Sequence, residues 1–273
     1  MNEAKIRKYV RKRYAGIASQ GGSCCDTGGS CCGSVTPEEA GRRIGYSEEE
    51  MKAVPRGANL GLGCGNPIAL ASLGKGETVL DLGSGAGFDC FLAAREVGPE
   101  GHVIGVDMTP EMIEKARENA RQGGYPHVEF RLGEIENLPA ADGSVDAVIS
   151  NCVINLSPAK DRVFAEAYRV LKPGGRIMVS DIVLSGTLPE SVATSLEAYA
   201  GCIAGAIDKE EYLRLLEAAG FRDVRILQES RFEIGDSELE EYAKGVTGGF
   251  NVPSETLRKE LESVLSVRVL GMK

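Results

Sequence analysis

Residues 77–98 read ETVLDLGSGAGFDCFLAAREVG, and this stretch decides the fold. Residues 77–83 are a short apolar run ending in glycine, the pattern of a buried strand. Residues 88–98 carry apolar side chains at helical spacing. Between them, Asp81-Leu82-Gly83-Ser84-Gly85-Ala86-Gly87 turns the chain from strand to helix. Gly83 permits a turn that most residues cannot make. Gly85 lets the backbone come close to a ligand, and Gly87 lets the helix pack on the strand. A second strand, HVIGVDM (102–108), carries Asp107 near its end, 24 residues after Gly83. That is the place for a carboxylate that grips two ribose hydroxyls.

The alternation continues downstream. TPEMIEKARENARQGG (109–124) predicts a helix with Thr109 as N-cap and Pro110 in its first position. VEFRLGE (128–134) and SVDAVISNCV (144–153) read as strands three and four. AKDRVFAEAYRVLKPGG (159–175) predicts a helix stopped by Pro173-Gly174, and RIMVSDIVL (176–184) is strand five. The pattern implies an α/β fold, Rossmann-like, with a mostly parallel sheet and helices on both faces. An N-terminal extension precedes it and a small C-terminal α+β region follows. The expected division is 1–60, a helix and Cys-rich loop; 61–185, the nucleotide-binding domain; and 186–273, an insertion and C-terminal region. Ser47 and Glu50 predict a capping box on a short helix over 47–53. Residues 19–34 are Gly/Ser/Cys-rich without periodicity and predict a loop. Asp208 caps a helix over 208–221; a polar helix from 252 and the strand-like LSVRVLG follow.

Composition narrows the function. The 273 residues carry a formal net charge of −9, which argues against a general nucleic-acid footprint. Lys5, Arg7, Lys8, Arg11, Lys12 and Arg13 are basic, but Ile6, Val10, Tyr14 and Ile17 recur beside them at helical spacing. This predicts an amphipathic helix docked on the core with a solvated basic face. No signal-peptide pattern and no membrane-length apolar run occur, so a cytoplasmic protein without membrane partners is expected. The eight cysteines are not a disulfide scaffold, because such frameworks belong mostly to short secreted domains.

The sequence D-x-G-x-G-x-G, with the acid on strand two and the downstream LKPGG, resembles the class I S-adenosylmethionine-dependent methyltransferases over residues 76–184. The resemblance implies that Asp81, Gly83, Ser84, Gly85 and Gly87 form the loop that holds the amino-acid end of S-adenosylmethionine. It places Asp107 on the ribose, Met108 and Glu134-Ile135 beside the adenine, and Asn151 near the methionyl part. In that superfamily the segments before the donor domain and after strand five fold over the acceptor pocket. Cys64 in the first, Cys152 at the tip of strand four and Cys202 in the second would then converge. Cys90, in an apolar helical run, reads as packing.

Three soft thiolates suit a thiophilic ion. Structural zinc sites favour four ligands and CxxC spacing, and no CxxC occurs here. Trivalent arsenic takes three thiolates in a pyramid and keeps a lone pair that can displace a methyl group without losing a proton. The only histidines, His102 and His127, begin or precede strands and read as structural.

The segments YSEEEMKAVPRGANLGLGCGNP (46–67), SNCVINL (150–156), GCIAGA (201–206) and SVRVLGMK (266–273), with DLGSGAGFD (81–89), resemble the arsenite methyltransferases. That family implies arsenite or its thiol conjugates as substrate, held and processed by Cys64, Cys152 and Cys202. It also implies a fourth, N-terminal cysteine in a disulfide redox step. Cys24, Cys25, Cys31 and Cys32 are the candidates, and Cys32 is chosen by its place before Cys64. Thioredoxin or glutathione would be the thiol reductant. Leu62 stands where algal and animal members carry a tyrosine. Two other readings share the donor domain: a methyltransferase acting on carbon or oxygen of a small lipid or quinone, and a non-enzymatic protein that binds a metalloid or zinc.

Overall fold

A computed structural model of the chain describes residues 2–20, 36–188, 190–231 and 262–273. Its elements run α1 (Glu3–Gln20), α2 (Pro37–Arg43), α3 (Glu48–Lys52), α4 (Ile68–Ala71), β1 (Thr78–Leu82), α5 (Phe88–Val97), β2 (His102–Asp107), α6 (Pro110–Gly123), β3 (Val128–Leu132) and β4 (Val145–Asn151). A 3-10 turn, Ile154–Leu156, leads to α7 (Lys160–Val170), β5 (Leu171–Leu184), α8 (Glu190–Ala193), α9 (Leu196–Ala200), α10 (Lys209–Ala218), β6 (Arg222–Arg231) and β7 (Val264–Met272).

The strands form one sheet in the order β3-β2-β1-β4-β5-β7-β6. β1 to β5 are parallel, and β7 runs antiparallel to both β5 and β6. The order reverses between β1 and β4, and in open α/β sheets ligands bind at that point, outside the carboxyl ends of the strands. Each face is buried by helices. Val79, Val103 and Ile149 pack against α5 and α6, while Leu80, Val106 and Val148 pack against α7 and α10. This alternation is the period of two expected of strands covered on both sides.

Local chemistry explains most boundaries. Ser47 and Glu50 form the expected capping box on α3. Thr36 and Glu39 form a second one on α2, where T-P-E-E carries the same signal. Asp208 accepts from the backbone N–H groups of Glu210 and Glu211 and starts α10. Thr109 precedes α6 without a side-chain cap; the carboxylate of Asp107 accepts its N–H instead.

Two expectations change. The helix expected over 159–175 ends at Val170, and Leu171 is already paired with Val145 in β5. Proline disfavours the helical conformation in the residue before it, so the chain leaves the helix ahead of Pro173. The basic face of α1 is not wholly solvated: Arg7 pairs with Glu136 at 3.2 Å and Arg11 with Glu134 at 3.3 Å. The apolar stripe behaves as expected, with Ile6, Val10 and Ile17 buried. The loop expected over 19–34 falls, from residue 21 on, outside the described residues, as does the polar helix expected from 252.

Candidate active site

The glycine loop after β1 has the conformation its residues predict. Gly83, Gly85 and Gly87 have φ of +70°, +52° and +96°. A Cβ on Gly87 would meet Phe91 and Phe130 at 2.7 Å, so this glycine permits helix-to-sheet packing. A Cβ on Gly85 would meet nothing within 4 Å, so the loop leaves open space there. The backbone N–H of Gly85 donates to Asp107 Oδ2 at 3.0 Å, and Thr109 N–H donates to Oδ1 at 2.8 Å. Burial raises the Asp107 carboxyl, against these backbone donors. Ser84 Oγ is buried with no hydrogen-bond partner among the described residues.

Asp81 lies beneath the loop, 3% exposed, and accepts from the Cys90 thiol at 3.2 Å. Burial, then Asp89, raises its carboxyl well above the usual range. Cys90 is fully buried, as expected of a packing residue. Ile135 is buried, Met108 half-buried, and Glu134 exposed and paired with Arg11. A cleft of about 760 Å³ between α1 and the start of α6 has Glu134 on its wall. Tyr14 in α1 donates to Ala200 O at 3.3 Å, and Ile17 and Ala18 pack with Ala86 of the glycine loop. The first helix therefore bridges the glycine loop and the segment after β5.

Cys64, Cys152 and Cys202 share one buried cluster with residues of α1, β5 and α9. Close backbone contacts deliver each of them. A Cβ on Gly65 would lie 1.8 Å from Ser180 Oγ, and one on Gly63 would lie 2.8 Å from the Asn151 amide. Only glycines let the Cys64 loop approach the ends of β4 and β5 this closely. A Cβ on Gly205 would lie 2.0 Å from Asn155 O, which seats the Cys202 segment on the turn after Cys152. Cys152 and Cys202 themselves have φ of +57° and +66°. Left-handed backbone is uncommon for a non-glycine residue and gathers at functional sites.

The Cys202 thiol donates to Cys152 O at 2.7 Å, and the Cys64 thiol to Ser180 O at 3.6 Å. Burial pushes the Cys64 thiol up to about 11. Its contact with Cys152, then burial, holds Cys202 well above its usual value. The contact with Cys202 acts to lower Cys152, but Cys64 and burial outweigh it and the net shift is upward. All three are thus neutral thiols at pH 7 until something binds them.

Several residues here were not singled out from the sequence. Asp181 on β5 is fully buried, and one of its oxygens lies within 4.8 Å of Cys64 Sγ and Cys152 Sγ. Asn155 Nδ2 donates to it at 2.9 Å and Tyr212 OH at 3.1 Å. Burial raises its carboxyl to about 7. Lys160, 8% exposed, faces Asp181 and is lowered to about 8 by burial. The one visible signal for Asp181 is an acid inside the apolar run RIMVSDIVL.

A second network joins the two halves of the site. Asn151 Nδ2 donates to Gly65 O at 2.7 Å, Tyr46 OH at 2.9 Å and Asp89 Oδ2 at 3.1 Å. Tyr46 OH donates to Asp89 Oδ1 at 2.5 Å. The Asn151 side chain, expected beside the methionyl part, spends these polar atoms on protein partners. Cys24, Cys25, Cys31 and Cys32 lie outside the described residues. No helix among the described residues is long and apolar enough to cross a membrane.

The methyltransferase domain family matches residues 73–220. The chain is 56% identical over 229 residues to an arsenite methyltransferase of Halobacterium salinarum, covering 81% of this chain and 59% of that protein. It is 33% identical over 249 residues to the arsenite methyltransferase of Homo sapiens, covering 88% of this chain and 64% of the human protein. The crystal structure of an arsenic (III) S-adenosylmethionine methyltransferase from Chlamydomonas reinhardtii superposes with a TM-score of 0.63 at 37% identity, covering 85% of this chain and 72% of that one. The chain thus spans somewhat less than two thirds of the length of these curated relatives.

Proposed function

Because this chain belongs to the arsenite methyltransferase family of the class I S-adenosylmethionine-dependent methyltransferases, we propose that it transfers a methyl group from S-adenosylmethionine to trivalent arsenic held by Cys64, Cys152 and Cys202. The observation that carries this reading is the meeting of three buried thiols from three separate segments at the carboxyl end of a nucleotide-binding sheet.

The donor loop fits its ligand. The unpartnered Ser84 Oγ and the open space over Gly85 suit the amino-acid end of the donor, with Gly83 and Gly87 shaping the turn. Asp107, oriented by Gly85 and Thr109, suits the ribose hydroxyls. Met108, Glu134 and Ile135 flank the adenine, and Asn151 stands on the methionyl side. Asp81 acts from below, since its carboxyl is buried against Cys90. S-adenosylmethionine supplies a methyl group on a positively charged sulfur, and Asp89, held up only to about 6, keeps a negative charge beside Asn151 at neutral pH that suits it.

Arsenite exchanges its three hydroxides for the three thiols. Each thiol proton leaves with a hydroxide as water, so ligation needs no net base. The arsenic lone pair then takes the methyl group as the carbon–sulfur bond breaks, and arsenic passes formally from +3 to +5. The protein contributes positioning and exclusion of water. Two thiols return the electron pair by forming a disulfide, with Cys32 and Cys64 as the pair. A small thiol or thioredoxin regenerates them by exchange.

The test is a reaction of purified protein with arsenite, labelled donor and a thiol reductant. Methylated arsenicals support the reading. Donor consumption without methylated arsenic, or first methylation that survives Cys152→Ser, overturns it.

A further inference from the structure

The sequence argues against a divalent metal by offering three thiols and no fourth ligand. Asp181 stands where a fourth ligand would. One of its oxygens, Cys64 Sγ and Cys152 Sγ lie within 4.8 Å of one another, before any ion draws them inward. Cys202 Sγ lies outside that group but next to it, donating to Cys152 O at 2.7 Å and in contact with the Cys152 thiol, and would supply the third sulfur by turning from that carbonyl.

The carboxylate is held as a ligand would be. Oδ1 accepts from Asn155 Nδ2 and from Ile182 N–H, both at 2.9 Å. Among the described residues Oδ2 accepts only from Tyr212 OH, at 3.1 Å, which leaves it a lone pair. Outer partners that fix a ligating carboxylate in this way raise metal affinity. Asn155 Oδ1 and Ser180 Oγ, beside Asp181 in the fold and in sequence, are buried without partners among the described residues. The Lys160 ammonium offsets part of the negative charge that four anionic ligands would gather.

Coordination number separates the occupants. Arsenic(III) is satisfied by three sulfurs in a pyramid and needs no oxygen. Zinc and cadmium take four ligands in a tetrahedron, commonly mixing sulfur with nitrogen or oxygen. We propose that Asp181 completes, with Cys64, Cys152 and Cys202, a tetrahedral site for a divalent thiophilic cation, and that this cation shuts arsenite out of the pocket. Binding releases the thiol protons to solvent and moves no electrons. The site itself does not depend on methylation; only the exclusion of arsenite rests on the proposed function.

The test titrates Cd²⁺ into the full chain carrying Cys24, Cys25, Cys31 and Cys32→Ser, followed by the sulfur-to-cadmium charge-transfer band. One tight Cd²⁺ per chain is expected. Asp181→Asn should weaken Cd²⁺ by more than the roughly 10–100-fold that loss of an outer partner costs, and leave arsenite binding unchanged. Cadmium-113 resonance of the same chain with Asp181 intact should show three sulfurs and one oxygen, a readout that no folding defect of the variant can mimic. No stoichiometric binding, an all-sulfur resonance, or unchanged Cd²⁺ affinity in a folded Asp181→Asn chain overturns the site. Arsenite binding to the same four-Ser chain should fall with added Cd²⁺ and return with a chelator. Arsenite binding that Cd²⁺ leaves untouched overturns the exclusion, while a chain with all its cysteines that binds arsenite but methylates nothing overturns the proposed function alone.

Discussion

The side-chain oxygen of Asn151 accepts the backbone N–H of Cys64 at 3.0 Å, while its Nδ2 donates to the carbonyl of Gly65 at 2.7 Å. One amide at the tip of β4 therefore grips both flanks of a proposed arsenic ligand. Asn151→Ala removes both contacts and strips Asp89 of a donor. Misplacement of a reacting group by about 1 Å can cost on the order of a hundredfold in rate. Methylation should fall by about that factor, with donor affinity losing much less. Turnover and donor titration on the same preparation separate the two.

Gly65 faces Ser180 with no room to spare. Gly65→Ala puts a Cβ 1.8 Å from Ser180 Oγ and 3.0 Å from its Cβ. The single variant should displace the Cys64 loop and lose arsenite binding. Adding Ser180→Ala removes the worse contact and should restore much of the binding. A double-mutant cycle on arsenite affinity should show strong positive coupling.

Cys152 and Cys202 make an ordinary stability rule change sign. Glycine normally costs about 0.5–1 kcal/mol relative to alanine inside regular structure. At φ of +57° and +66° the alanine keeps a left-handed strain of about 1–2 kcal/mol that glycine lacks. Cys152→Gly and Cys202→Gly should therefore equal or exceed the matching alanine variants in urea midpoint, and all four should lose arsenite methylation.

Gly85 and Gly87 should fail differently. Gly87→Ala meets two aromatic rings at 2.7 Å and should destabilise the fold. Gly85→Ala meets nothing and carries only backbone strain, so it should fold while its methyl group intrudes on the donor. Melting temperature and donor affinity, measured for both, should move in opposite proportions.

Asp89 gives a pH dependence. Burial holds its carboxyl up at about 6, against a usual 3.8. Between these values the folded protein keeps a proton that the unfolded chain has lost. The stabilisation from this group is thus complete below pH 3.8 and is lost as pH rises through about 6. Asp89→Asn lacks that slope. Its stability relative to the parent should rise between those pH values, by roughly 3 kcal/mol, and stay level above. Urea unfolding across that range reads the difference.

The donor half was legible because its signals are local. Three glycines, a strand before them and an acid on the next strand lie within residues 77–107. The thiol half was legible only through the fold, since Cys64, Cys152 and Cys202 share no spacing rule. Asp181 and Lys160 were not legible. Each sits in a run that reads as an ordinary strand or helix, and their meeting depends on how β5 passes α7. The grip of Asn151 is hidden for the same reason: Tyr46 is 105 residues away in sequence and Asp89 is 62. The end of α7 falls ahead of the Pro173-Gly174 stop signal, because the backbone before a proline already leaves the helical conformation.

The position of β7 sets an order of assembly. Ser266 on this strand donates to the carbonyl of Cys64 at 2.9 Å, and β7 lies between β5 and β6. A growing chain can lay down β1 to β5 from near neighbours, but the pairing of Ser180 with Arg268 must close a loop of nearly ninety residues. Contacts of such long separation form late. A nascent chain thus has its nucleotide-binding strands before its thiols are locked in register, so the proposed capture of arsenite would wait until synthesis has passed Arg268.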